Sequence, residues 1–96
     1  MLAALDDHRS ALLAVTQAVT DYVQAEEDAA PDEPQMLAIA DRAASEETAA
    51  LNALLALTPA NLAEAASLAG HLAETATEFD RVDLFERFAV VLARMA

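Results

Sequence analysis

Glu27-Asp28-Ala29-Ala30-Pro31-Asp32-Glu33-Pro34 is the stretch on which the fold turns. Two prolines and four acids in eight residues break a helix, because proline lacks the N–H donor and clashes with the preceding turn. Upstream, Leu5, His8, Leu12, Val15, Val19 and Tyr22 recur at alternating steps of three and four, the stripe of an amphipathic helix from Leu2 to about Glu26. Asp6 and Asp7 suit its amino-terminal end through the helix dipole. Downstream, Asp32 can cap a second helix with Pro34 in its first turn and Gln35 at the capping-box position. That helix should reach about Leu57 and bury Leu37, Ala40, Ala44, Leu51 and Leu54. The two form an antiparallel hairpin.

Beyond it, Thr58-Pro59 predicts a fresh start: Thr58 as cap, Pro59 as first helical residue, Leu57 stapled onto Leu62. The third helix should run from Pro59 to about Thr77 with Leu62, Ala66, Ala69, Ala73 and Ala76 on one stripe and Gly70 beside it. Asp80 as cap, Asp83 three positions later and a Phe79 to Leu84 staple mark a fourth helix that packs Leu84, Phe85, Phe88, Val91, Leu92 and Met95. The short connection leaves a kinked continuous helix or a tight corner between helices three and four. The expected fold is therefore all-α, a four-helix bundle or helical hairpins in one domain spanning residues 1–96.

Composition narrows the function classes. Of the residues, 56% are hydrophobic, but Ala supplies nearly half of these, so the core is thin for the chain's length. Seventeen acids against five Arg leave a formal charge of -12, the opposite of what nucleic acid or an anionic membrane attracts. No apolar run approaches the roughly 20 residues of a membrane span, and Met1 to Asp7 carries neither a basic region nor a cleavage signature; the reading is cytoplasmic. With no Cys there is no thiol nucleophile, disulfide or Cys-based metal site. Ser10, Ser45 and Ser67 lack a nucleophile-elbow context, and one Gly cannot build a phosphate loop. No catalytic, cofactor-binding or metal-ligating residue is expected.

Two polar constellations stand out. Glu64, His71, Glu74 and Glu78 share a face of helix three, but di-iron bundles use Glu-x-x-His on two helices, whereas here a single His71-x-x-Glu74 occurs. The group also lies opposite the Leu62 to Ala76 stripe, so a solvated face is expected, with a carboxylate/His metal bundle as an alternative. His8 and Glu47 instead interrupt apolar stripes. In a hairpin folded at residues 27–34 they come within a turn or two of each other, which predicts a buried polar pair.

Helix four carries a second apolar strip, Val82, Ala89, Val90 and Ala93, behind its main one, and its three Arg balance three acids. Apolar residues on two sides predict burial on two sides, one against the bundle and the other against a partner, or else both within the monomer.

The run from Glu46 through Ala76, in which Leu51-Asn52-Ala53-Leu54-Leu55-Ala56-Leu57 ends at Thr58-Pro59 and a second Ala/Leu-rich helix follows, resembles a pattern in small uncharacterised alphaproteobacterial proteins. The resemblance covers about a third of the chain. It implies a helical bacterial protein and carries over no functional residue. The function expected is a non-enzymatic helical interaction protein, homodimeric or bound to another protein. The alternative from charge is an acidic decoy occupying the basic site of a nucleic-acid-binding protein.

Overall fold

A computed structural model describes residues 1–95. It is all-α among those residues, with α1 at Leu2–Glu27, α2 at Glu33–Leu55, α3 at Leu62–Phe79 and α4 at Asp83–Met95. Where one domain was expected, the residues group into two compact units: Asp6–Leu51, and Met1–Leu5 with the chain from Asn52 onward.

In the first unit, His8 meets Glu47 while Val15 and Ala18 pack on Ala40 and Ala43, so the arms of α1 and α2 run antiparallel. Small side chains dominate this seam. Two expected stripe positions therefore turn outward: Val19 is 45% exposed and Leu37 43%, and Ala44 is exposed too, because Ala18 and Ala43 take the seam in their place. At the turn, the N–H groups of Ala29 and Ala30 donate to Glu26 O and Ala25 O, and Ala29 adopts φ 48°. This is the Schellman ending of a helix, with alanine in the left-handed position that glycine usually fills.

In the second unit the boundary of α3 differs from the expectation. Asn61, not Thr58, is the cap: its backbone is extended and its Oδ1 accepts from Glu64 N at 2.9 Å, while Glu64 Oε1 accepts from Ala60 N at 2.9 Å. Asn caps at least as well as Thr, and it has an acid three residues on to complete a reciprocal pair. Pro59 lies before the helix and is buried, and Leu62 is 83% exposed, so no Leu57–Leu62 staple forms.

The buried face of α3 is Ala65, Leu68, His71, Leu72, Thr75 and Ala76. Of the expected stripe only Ala76 is buried; Leu62, Ala66 and Ala73 are exposed and Ala69 is intermediate. Leu68 and Leu72 each bury far more apolar surface than an alanine does, and they decide the rotation of the helix.

Asp80, expected to open α4, instead closes α3. It sits at φ 54° with its N–H on Ala76 O, and Arg81 N donates to the same carbonyl at 3.0 Å. The α3–α4 connection is thus a tight corner, after which Arg81 holds Asp83 through two bonds of 2.9 Å.

Candidate interaction surface

α4 packs against α3 through Leu84 and Val91, both fully buried, with Phe88 and Met95 partly so. At about 100° per residue these four share one face. Phe85 and Leu92, expected in the core, flank that face and are 58% and 42% exposed. The far side carries Ala89 and Ala93 with Glu86, all exposed, and Val82, in the turn before the helix, is 72% exposed. On the remaining flank lie Val90, 59% exposed, with Asp83, Arg87 and Arg94. Of the second strip, Val82, Ala89, Val90 and Ala93 are all exposed.

Arg87 and Arg94 each donate to an oxygen beyond α4. Arg87 donates to Asn52 Oδ1 at 2.7 Å; Arg94 donates to the carbonyls of Leu55 and, at 3.2 Å, Leu57, closing the end of α2. A cation there satisfies carbonyls that a helix end leaves without partners and opposes the negative end of its dipole. Asn52, Leu55, Ala56, Arg87, Val90, Val91 and Arg94 line a shallow groove. Arg81 beside Asp83 holds that carboxyl below its ordinary value, chiefly by hydrogen bonding.

His8 and Glu47 are brought together: Nε2 to Oε1 is 2.8 Å, with His8 wholly buried and Glu47 9% exposed. Glu64, His71, Glu74 and Glu78 are not. His71 is buried, which corrects the solvated reading of that residue, while Glu64 caps α3 and Glu74 and Glu78 face solvent. A histidine one position from Leu72 on a face centred between Leu68 and Leu72 is inward; the sequence pattern held that signal, but the alanine stripe masked it. Among the described residues no group of three or more His, Asp or Glu is arranged to hold a metal ion. Ser10, Ser45 and Ser67 are all exposed.

An acidic environment surrounds Tyr22. Hydrogen bonding to Glu26, with burial and the charges of Glu26, Glu33 and Asp41, raises its pKa above 10.0. No helix among the described residues is long and apolar enough to cross a membrane. Comparison with protein-family models, with curated proteins and with solved structures finds no match for the chain.

Proposed function

We propose that this chain is a non-enzymatic helical interaction protein of the cytoplasm that associates with a second copy of itself through α4. One observation carries the reading: Phe85, Val90 and Leu92 on a single short helix, and Val82 in the turn before it, are exposed where the charges cancel. The three acids and three arginines from Asp80 to Arg94 balance, so the net -12 is borne by the rest of the chain. Exposed apolar residues scattered singly need no explanation, but a patch of them on the least charged part of an acidic molecule favours contact with an equally acidic partner.

The expected interface is modest. A helix of 13 residues is about 20 Å long, and its outer half offers less than the roughly 800 Å² per partner of a standard interface. Weak, concentration-dependent association follows. Sedimentation equilibrium should show dimer at high micromolar protein, and Val90→Glu should give a folded monomer with unchanged helicity. A wild-type mass that stays monomeric throughout would overturn the reading.

A second reading, the acidic decoy that occupies a basic site, is favoured by the acids around Tyr22. Salt separates the two. Two copies of charge -12 repel, so raising ionic strength strengthens self-association, whereas capture of a basic partner weakens.

A further inference from the structure

We infer that the groove between the end of α2 and α4 is a binding site for a small linear dicarboxylate. The inference goes beyond the self-association proposed above and does not rest on it. Acids outnumber arginines 17 to 5, so each arginine would be expected beside a carboxylate. Among the described residues Arg9 pairs with Asp6 and Arg81 with Asp83, whereas the bonds of Arg87 and Arg94 go to uncharged oxygens, those of the Asn52 amide and of the Leu55 and Leu57 carbonyls. Asp83 lies one turn before Arg87 and feels its charge, but its oxygens bond to Arg81. Uncharged acceptors orient a guanidinium without neutralising it. All of these bonds leave from Nη2, and Nη1 and Nε bring further N–H donors in the planar fork that suits a carboxylate.

Both arginines line the same groove with Leu55, Ala56, Val90 and Val91, and no acid among the described residues lines it. The spacing selects the ligand. Arg87 and Arg94 stand two turns apart, about 10 Å along α4, with the apolar residues of the groove between them. A cation towards each end of an apolar floor matches a molecule with a carboxylate at each end of an aliphatic chain. A single carboxylate leaves one arginine unmatched, and a neutral chain leaves both. At about 280 Å³ the groove is small. Ligand pockets begin at roughly 300 Å³, so it suits one short chain and not a large cofactor.

Suberate, whose extended length is close to the arginine spacing, is the probe, at constant ionic strength and with the full chain dilute enough to be monomeric. Saturation-transfer NMR should detect suberate binding in the millimolar range. Octanoate, with one charge, and succinate, too short to reach both arginines, should bind about threefold more weakly, the size of one exposed ion pair, and neutral octanediol more weakly again. Arg87→Gln keeps a donor for Asn52 but no charge and should weaken suberate about threefold. Ala56→Glu sets an acid into the exposed floor and should abolish binding, while Arg42→Gln, exposed on α2 and outside the groove, should leave it unchanged. Circular dichroism checks that each variant stays helical, and Arg87→Gln decides the matter if Ala56→Glu does not fold. Suberate binding no stronger than octanediol, undiminished in both groove variants, or lost equally with Arg42→Gln would overturn the site. None of these results bears on self-association, which sedimentation reads separately.

Discussion

Removing the carboxylate of Glu47 tests the centre of the α1–α2 hairpin. The bond from His8 Nε2 to Glu47 Oε1 spans 2.8 Å between a side chain with no solvent exposure and one with almost none. In Glu47→Ala the imidazole loses that partner at a site water barely reaches, and taking a bond from a buried polar group costs about 1 to 3 kcal/mol. We expect about 2 kcal/mol, since truncation also leaves space at the seam. For a chain this size that lowers Tm by roughly 8 to 16 °C. Urea denaturation followed by circular dichroism and by the fluorescence of Tyr22, the only tyrosine in a chain without tryptophan, measures it in the unit that holds the pair. Glu47→Gln keeps volume and an acceptor and should lose less than half as much. A Glu47→Ala stability within about 0.5 kcal/mol of the parent, or strict additivity with His8→Leu, would refute the coupling.

Three further outcomes follow from the geometry. Ala29→Gly and Asp80→Gly should each stabilise by about 0.5 to 1 kcal/mol in thermal melts, since both residues hold left-handed φ at helix ends; for Asp80, the N-cap role would instead make glycine neutral or harmful. Tyr22 should deprotonate above 10.0 in an absorbance titration and Glu26→Gln should lower the midpoint; because the folded chain holds this proton more tightly, its contribution to stability is complete below 10.0 and is lost as pH rises through the folded value. Asp83 shifts oppositely, so its contribution is present above 3.8 and lost as pH falls through the lower folded value; Arg81→Gln should return its carboxyl carbon-13 titration toward the ordinary one.

What the sequence made legible was set by large or chemically distinctive residues. The prolines at 31 and 34 located the turn, and the steps from Leu5 to Tyr22 located α1 to within a residue at its end. His8 and Glu47 were readable as a pair because each broke an apolar stripe and the turn fixed the register. The errors lie where alanine made several faces look alike. In α3 every rotation offers small residues, so Leu68 and Leu72 chose the buried face against a longer alanine stripe, and His71 went inward with them. Helix endings were hidden for a related reason: the left-handed positions hold Ala29 and Asp80 rather than glycine, and Asp80 looked like an N-cap because aspartate serves there too. The exposure of Phe85 and Leu92 was not legible, since periodicity reports which residues share a face but not how wide a face the neighbours cover.

Exposed apolar residues occur well beyond α4, so the assignment of the interface to that helix needs more than exposure. Leu5, Leu51, Leu54, Leu55, Leu68, Leu72, Leu84 and Val91 are the buried Leu and Val side chains among the described residues, yet Leu2, Leu13, Val19, Val23, Leu37, Ile39, Leu57 and Leu62 are exposed alongside Val82 and the three of α4. An alanine seam leaves larger residues outside, and density and charge then distinguish the segments. On α1, Leu13, Val19 and Val23 are spread along 26 residues that also carry Asp6, Asp7, Asp21, Glu26 and Glu27 against one arginine, so two such faces would meet with their acids. Around α4 the apolar residues are closer together and acid is matched by arginine, which removes that repulsion at contact and leaves only the longer-range repulsion of the remaining charge. Salt screens the long-range part over about 10 Å at 0.1 M and acts least on groups buried at contact. The self-association proposed for α4 is therefore expected to strengthen as salt rises, and a face held together by opposite charges alone would do the reverse.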